Sequence, residues 1–288
     1  MSGTLTICGT PLGNLEDVSL RVLRVLREVD CIAAEDTRRT LKLLNHYEIQ
    51  TPLISFHEHN QKGKAPDILR QLSQGRNFAL VSDAGMPCVS DPGQELVRLC
   101  HDNHIAVTAA PGPTAVTTAL ALSGFPAGRF VFEGFPPREH KRRKAVLEGI
   151  RHESRAVILY EAPHHLVELL RDLLDGGGNR RAAVIREMTK KHEEILHGDL
   201  ESLLRHFEAE PPLGEFVIVL EALSAAKTSP QETPPVPERV SARVSAQERV
   251  AYYSRQGWDR KESMKQAARD LGVGKREIYR ALLREEDE

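Results

Sequence analysis

Polar loops rich in glycine and proline carry the residues of this chain that are best suited to chemistry. The longest, residues 82–93 (the long loop), holds Asp83, Asp91, two glycines and two prolines directly after the apolar run 78–81. Glycine permits backbone conformations that other residues resist, and proline fixes φ and removes an N–H donor. A plain connection to the next helix needs only about two to six residues. The long loop is therefore predicted to bind a ligand, with an elaborate turn as the alternative.

Five further polar loops follow apolar segments, at residues 9–14, 35–39, 111–114, 160–165 and 186–193. Parallel strands bring their carboxyl ends to one edge of a sheet, where α/β proteins bind ligands. These loops are therefore expected to line one cleft between two sheets. The charged side chains of the cleft suit a polar substrate that bears phosphate: Glu35, Asp36, Asp83, Asp91, Glu161 and Glu187, with Arg38, Arg39, Arg186, Lys190 and Lys191.

Alternating strand and helix patterns must position these loops. Apolar runs at residues 4–9, 31–34, 52–56, 78–81 and 105–110 predict five strands, and helical spacing predicts helices between them. This repetition predicts a largely parallel sheet, covered on both faces, in an N-terminal α/β domain of residues 1–112. A second α/β domain is expected over residues 113–223. Only one short helix separates its last two strands, 193–197 and 215–221, so its sheet is expected to be mixed.

The rest of the chain has a different character. Residues 224–238 are rich in proline, serine and threonine and predict a linker. Within residues 239–288, the stretch 267–283 predicts a helix, a glycine-containing turn and a second helix, which is a helix-turn-helix-like segment. Residues 255–284 carry nine lysines and arginines against four acidic residues, and a second basic cluster lies at 138–144. Both could contact nucleic-acid phosphates. The alternatives are a solvated helix face and a packing or dimer module.

Composition and missing motifs exclude several classes of protein. The chain has 288 residues, of which 40% are hydrophobic and 28% charged, as in an ordinary soluble protein. No apolar run approaches the roughly 20 residues that span a bilayer, no secretory signal is visible, and the four cysteines are scattered, so a cytoplasmic location is expected. Residues 9–13 read G-x-x-x-G, without a dinucleotide or P-loop fingerprint. No metal-ligand spacing and no G-x-S-x-G elbow occur, and no metal is expected.

Six motifs follow one another in order: G-T-P-L-G-N-L-E-D, E-D-T-R, S-D-A-G-x-P-x-V-S-D-P-G, A-P-G-P-T-A, L-Y-E-A-P-H and R-E-M-T-K-K-H-E-E. Together they resemble the ribosomal RNA small subunit methyltransferase I family, which belongs to the tetrapyrrole methylase-like (class III) S-adenosylmethionine-dependent methyltransferases. The resemblance covers about residues 3–222 and extends to the C-terminal segment. It implies a two-domain tetrapyrrole methylase-like fold and a homodimer. It also implies methylation of the 2′-hydroxyl of cytidine 1402 in 16S ribosomal RNA, in the decoding region of the small ribosomal subunit.

The resemblance also implies roles for individual residues. S-adenosyl-L-methionine would be bound in the interdomain cleft by Asp83, Ala84, Gly85, Met86, Pro111, Gly112, Thr114, Ala115, Tyr160 and Met188. Met86 stands where threonine is expected, so a hydroxyl contact would be lost there. Glu35 or Asp36 could accept the proton of the 2′-hydroxyl, and Lys190 could stabilise the developing oxyanion. Contacts to RNA are expected from Arg38, Arg39, Arg142, Arg143, Arg186, Lys191, Lys275 and Arg276.

Two other functions fit part of the sequence. A small-molecule methyltransferase of the tetrapyrrole type would have a similar cleft, but it would not need the basic C-terminal segment or the paired arginines at 38 and 39. A ligand-sensing regulator without enzymatic activity would use the helix-turn-helix segment to bind palindromic DNA. The six motifs speak against the regulator, because a sensor does not require all of them.

Overall fold

The computed structural model describes residues 2–223, 246–255, 258–270 and 273–284. The chain divides into two compact units, residues 1–225 and 226–288. The first unit contains two five-stranded sheets and the helices that cover them. The first sheet and its helices comprise β1 (Thr4–Cys8), α1 (Leu20–Glu28), β2 (Cys31–Ala34), α2 (Thr37–His46), β3 (Leu53–Ser55), α3 (Gln61–Ser73), β4 (Phe78–Val81), α4 (Gln94–Asp102) and β5 (Ala106–Ala110), with a 3-10 helix at Leu15–Asp17.

The first sheet is wholly parallel, with the strand order β3-β2-β4-β1-β5. Its central strand β4 is buried along its whole length. Phe78 and Leu80 belong to the apolar cluster on one face, and Ala79 and Val81 belong to the cluster on the other. Strands are apolar on both sides where helices cover both faces of a sheet. The predicted parallel sheet is therefore confirmed.

The second sheet is mixed, with the order β6-β7-β10-β8-β9. Its elements are α5 (Ala115–Ser123), β6 (Phe130–Gly134), α6 (His140–His152), β7 (Ala156–Glu161), α7 (Pro163–Gly177), β8 (Arg181–Arg186), β9 (Glu194–Asp199), α8 (Leu200–Ala209) and β10 (Phe216–Leu220). Strand β10 is antiparallel to both β7 and β8, and β6 is parallel to β7. Strands β6, β7 and β8 therefore run in one direction, and the loops that follow them share one edge. The predicted mixed sheet is confirmed.

The loop-bearing edges of the two sheets meet. Gly13, after β1, lies so close to the side chain of Lys190, after β8, that a Cβ atom at position 13 would collide with it. A Cβ atom on Gly134, at the end of β6, would lie 2.8 Å from Oγ of Ser90 in the long loop. These contacts join loops that are far apart in sequence. They bring the loop-bearing edges of the two sheets together within a single compact unit, as the predicted cleft requires.

The described part of the second unit contains three helices: α9 (Ala246–Arg255), α10 (Arg260–Asp270) and α11 (Lys275–Arg284). Its small core contains Val250, Ala267, Ala268 and Ile278. The predicted helix-turn-helix corresponds to α10 and α11, although α10 begins earlier than expected and α9 was not predicted. The predicted linker, residues 224–238, lies outside the described residues, and the predicted domain boundaries stay predictions. No helix among the described residues is long and apolar enough to cross a membrane.

Candidate active site

The long loop is fixed to the loop that follows β1. The backbone N–H of Thr10 donates to the carbonyl of Gly85 at 2.8 Å, and Gly85 N–H donates back to the Thr10 carbonyl at 3.0 Å. The Thr10 hydroxyl also donates to the Ser82 carbonyl at 3.1 Å. Gly85 has φ of +81°, a conformation that glycine adopts without steric cost. The predicted binding segment 83–86 is therefore held in one position before any ligand arrives.

Three loops approach each other at the level of the backbone. A Cβ atom on Gly112 would lie 2.6 Å from the carbonyl oxygen of Gly9. A Cβ atom on Gly9 would lie 2.6 Å from the backbone nitrogen of Gly112 and 2.7 Å from Sδ of Met86. Only glycine fits at both positions, because real Cβ atoms do not approach other atoms so closely. The structure thus brings Met86 and Gly112, which were predicted to bind the methyl donor, together with Gly9. Gly9 was not among the predicted donor-binding residues.

Asp83 connects the long loop to the loop that follows β2. Its Oδ1 accepts a hydrogen bond from the backbone N–H of Asp36 at 3.0 Å, and its Oδ2 lies 3.4 Å from Nη1 of Arg39. Its own backbone N–H donates to Oε2 of Glu35 at 3.3 Å. Both carboxylate oxygens therefore have partners within the protein. Asp83 positions residues 35–39 relative to the predicted binding segment.

The two carboxyl groups that sequence reasoning offered as proton acceptors have different surroundings. Asp36 caps the start of α2, and its carboxylate accepts from Nε of Arg38 at 3.1 Å and from Nη2 at 2.8 Å. These hydrogen bonds lower the pKa of Asp36 to about 2, so it is a weak base. Glu35 lies deeper in the cleft, and its burial raises its pKa, with a further increase from the nearby Asp83 charge. Glu35 therefore holds a proton more readily than Asp36 does.

Asp91, near the end of the long loop, is a third carboxyl group in the cleft. Its burial, reinforced by the charges of Glu35 and Asp83, raises its pKa to about 7, although the nearby Ser82 hydroxyl lowers the pKa in part. Within the described residues, no lysine or arginine forms an ion pair with Asp91. A carboxyl group of this kind can exchange a proton at neutral pH. The sequence placed Asp91 in the cleft, but it could not show the burial that makes it a useful base.

An apolar wall faces these carboxyl groups. Ala115, Tyr160 and Met188 belong to one apolar cluster, together with Leu12 from the loop after β1. Burial raises the pKa of the Tyr160 phenol to about 12, so the hydroxyl keeps its proton at neutral pH. The nearby backbone of Val116, in the first turn of α5, lowers the pKa of the phenol in part. The structure therefore places Ala115, Tyr160 and Met188 in one apolar cluster, and their shared contact with a ligand stays a prediction.

Several predicted basic residues have acidic partners or backbone acceptors. The Lys190 ammonium lies 3.0 Å from Oε1 of Glu187 and 2.9 Å from Oε2 of Glu215. Although burial lowers the pKa of Lys190, these two hydrogen bonds outweigh it and raise the pKa, so the ammonium stays charged. Arg186 donates from Nε to the Leu213 carbonyl at 2.6 Å. The side chain of Arg143 is only 12% exposed and pairs with Asp172 at 2.8 Å.

The other predicted RNA-binding residues are accessible where the structure describes them. The side chains of Arg38, Arg39 and Arg142 are 88%, 59% and 78% exposed. Lys191 is also exposed. Lys275 and Arg276 are the first two residues of α11, and their side chains lie outside the described part of the chain. Arg38 and Arg39 lie in the first turn of α2, and Arg39 lies 3.4 Å from Asp83 of the long loop.

The residues of the cleft fit S-adenosylmethionine. This donor has an adenine ring and two positively charged groups, a sulfonium and an ammonium. The wall formed by Ala115, Tyr160 and Met188 can contact the ring, and the Glu35 and Asp83 carboxyl groups can offset positive charge. The close approach of Gly9 and Gly112 lets backbone atoms line the cleft. No group of three or more possible metal ligands occurs in the part of the chain that the structure describes.

Comparison with known proteins agrees with this arrangement. The family model of Tetrapyrrole (Corrin/Porphyrin) Methylases matches residues 4–204. A ribosomal RNA small subunit methyltransferase I from Thermotoga maritima is 50% identical over 76% of this chain and 98% of its own length. Another from Halalkalibacterium halodurans is 45% identical over 96% of this chain and 93% of its own length.

Solved structures show the same fold at low identity. A uroporphyrin-III C-methyltransferase from Thermus thermophilus, solved with S-adenosyl homocysteine, has a TM-score of 0.54 at 17% identity and covers 75% of this chain and 96% of its own. The tetrapyrrole methylase-like fold predicted from the motifs is therefore confirmed. The chain is a methyltransferase that belongs to the tetrapyrrole methylase family and, within it, to the ribosomal RNA small subunit methyltransferase I family.

Proposed function

We propose that the chain transfers the methyl group of S-adenosyl-L-methionine to the ribose 2′-hydroxyl of cytidine 1402 in 16S ribosomal RNA, in the bacterial cytoplasm. The observation that carries the proposal is the cleft where loops 9–14, 82–93, 111–114 and 186–193 meet, with Arg38 and Arg39 exposed beside it. Relatives that share 45–50% of aligned residues are named ribosomal RNA small subunit methyltransferases, which supports RNA as the substrate.

The main task of the chain is to bind and orient the two reactants. The donor supplies a methyl group carried on a positively charged sulfur. Residues 83–86 and 111–115 and the wall of Tyr160 and Met188 hold the donor, so the ribose oxygen approaches in line with the carbon–sulfur bond. As the new oxygen–carbon bond forms, the carbon–sulfur bond breaks and its electron pair goes to sulfur. Closure of the cleft by RNA excludes water and strengthens the electrostatic interactions within it.

We assign the proton of the 2′-hydroxyl to the carboxylate of Asp91. Asp36 is a weak base, because Arg38 lowers its pKa to about 2. Glu35 accepts a hydrogen bond from the Asp83 backbone and raises the pKa of Asp91 through its charge. Lys190 keeps its charge next to Glu187 and Glu215, and its stem contacts Gly13. In this assignment Lys190 joins the two sheets, and oxyanion stabilisation is its secondary role.

The proposal predicts methyl transfer to a single ribose. Purified protein would be incubated with radiolabelled S-adenosylmethionine and small ribosomal subunits that lack their own modifications, and the label would be mapped by nuclease digestion. We expect label on the ribose of one cytidine, and none on subunits that already carry this methyl group. If the donor binds but RNA stays unlabelled, the substrate is not this RNA and a small-molecule acceptor becomes the better explanation.

We also propose that the protein is a homodimer. Strand β5 is at the edge of the first sheet, with Ala106 and Ala109 exposed. Leu20, at the start of the adjacent α1, is 86% exposed, and Arg21 bonds to the Ala109 carbonyl at 3.1 Å. A second copy would cover this apolar surface. Sedimentation equilibrium should give a dimer mass for the wild type and a monomer mass for Leu20→Glu; a monomeric wild type would contradict the proposal.

A further inference from the structure

An exposed aromatic residue lies at the mouth of the cleft. Phe135 follows β6 at the carboxyl edge of the second sheet, and 58% of it is exposed. The preceding Gly134 has φ of +66° and lies against Ser90 of the long loop, so the chain turns directly beside the predicted donor-binding segment. Val89, the neighbour of Ser90, is also 47% exposed. Contiguous exposed apolar patches commonly mark a binding surface.

The ring of Phe135 continues the wall of the cleft toward solvent. Its centroid lies 5.4 Å from that of Tyr160, and the ring of Phe132 lies 4.9 Å from Tyr160 on the inner side. Tyr160 in turn lies close enough to Asp91 for the charge of Asp91 to affect its phenol. A flat group resting on Phe135 would therefore be adjacent to the site of proton transfer.

Positive charge lies next to this aromatic residue. Arg138, Lys141, Arg142 and Lys144 are exposed in and just before α6, which begins at His140. Glu139 forms an ion pair with Arg142 at 3.2 Å, and both side chains remain largely exposed. Proteins that bind single-stranded RNA combine such cations, which contact phosphates, with aromatic side chains on which bases stack. The surface formed by Phe135 and residues 138–144 has this composition.

We propose that the base of the target nucleotide leaves its neighbours and stacks on Phe135, while α6 contacts the phosphates that flank it. This inference rests on the proposed function, because it presumes an RNA substrate. Stacking would place the attached ribose at the cleft, and it explains why an aromatic side chain stays exposed there. Since every base has a flat face, the contact sets the position of the nucleotide more than its identity.

The test compares two phenylalanines of the same strand region. Phe130 begins β6 at the opposite edge of the sheet and is 38% exposed, so it controls for loss of an exposed ring. We expect Phe135→Ala to weaken binding of an RNA hairpin with an unpaired target cytidine by about 5- to 100-fold, whereas Phe135→Trp keeps wild-type affinity. Phe130→Ala should not change RNA affinity. All three variants should bind S-adenosylmethionine normally, which shows that they fold.

A second RNA distinguishes the loss of base stacking from a general loss of RNA affinity. A hairpin whose target nucleotide lacks its base should bind wild type and Phe135→Ala with equal affinity. Arg142→Gln should lower the salt dependence of binding for both hairpins, because it removes a phosphate contact. Equal loss in Phe135→Ala and Phe130→Ala, or a loss that persists with the abasic hairpin, would overturn the inference while leaving RNA methylation intact. A wild type that methylates no RNA would instead overturn the proposed function.

Discussion

Replacing Gly112 with alanine should reduce methyl transfer by about 100-fold or more, since even a displacement of about 1 Å in an active site has that effect. The new Cβ atom would lie 2.6 Å from the Gly9 carbonyl oxygen, and neither backbone segment can move away easily. Gly9 bonds to the Ala110 carbonyl, and its neighbour Thr10 is paired with Gly85. The collision should therefore displace the predicted binding segments 83–86 and 111–115. Calorimetric titration with S-adenosylmethionine measures the loss directly.

A matched glycine supplies the control for this substitution. A Cβ atom on Gly176, in α7, would meet no atom within 4 Å. Gly176→Ala should keep full activity and raise thermal stability slightly, because alanine stabilises a helix by roughly 0.5–1 kcal/mol relative to glycine. Circular dichroism would show whether Gly112→Ala is folded. A folded Gly112→Ala protein with normal donor affinity and activity would contradict the role given to this contact.

Asp91→Asn should lower kcat by about 100- to 10,000-fold, the usual contribution of a positioned general base. Donor affinity should change little, because the amide has the same shape. The wild-type rate should rise with pH and level off above pH 7, since the carboxyl group with a pKa of about 7 accepts a proton only when ionised. The Asp91→Asn variant should lack this dependence. Single-turnover rates measured between about pH 5.5 and 8.5, on both sides of this pKa, test the prediction.

The groups around Asp91 allow a sharper form of this test. Glu35, Asp83, Cys88 and Tyr160 are the titratable neighbours that face it. Glu35→Gln removes a negative charge that raises the pKa of Asp91, so the midpoint of the pH profile should move to lower pH. Asp36→Asn should leave the midpoint unchanged. A wild-type profile that is flat near pH 7, or an unchanged midpoint in Glu35→Gln, would exclude Asp91 as the acceptor.

The ionisation of Asp91 also affects the stability of the fold. The effect of pH on stability has the opposite sign to that of most carboxyl groups. The pKa of Asp91 is about 7 in the folded chain, against an ordinary value of 3.8. At pH values between these two, the folded protein therefore binds more protons than the unfolded chain does. Stability is therefore lost as pH rises through this window. Asp91→Asn should melt at a higher temperature than the wild type at pH 8, roughly one unit above the folded pKa. Catalytic loss together with a higher melting temperature would separate a functional role from a structural one.

Residues near one another in sequence accounted for most of the fold. The run 78–81 predicted a buried strand because all four of its side chains are apolar, and β4 has these bounds. The single short helix between the last two strands predicted a mixed sheet, and its antiparallel pairs are β10 with β7, β10 with β8, and β8 with β9. The C-terminal segment was less predictable. The apolar Val273 is 40% exposed, because it lies in the turn between α10 and α11.

Partners that are distant in sequence decide the roles of the charged residues. Arg143 and Lys190 were expected to contact ligand, but Asp172 and Glu215 lie beside them in the folded chain. No periodicity or motif contains that information, because an ion pair depends on where two elements pack. Accessibility is equally non-local. Phe130 and Phe135 are similar in sequence context, yet of these two only Phe135 lies at the entrance of the cleft.

By itself the sequence determined the parallel and mixed sheets, the loops that follow their strands, and the family, because local propensity and motif order specify each of them. The tertiary structure decided which residues of those loops can act. It half-buried Asp91 near Glu35, left Asp36 paired with Arg38, and brought Gly9 against Gly112. Proton affinity and close contact depend on desolvation and on atoms from several loops at once. Those quantities exist only after the two sheets have come together.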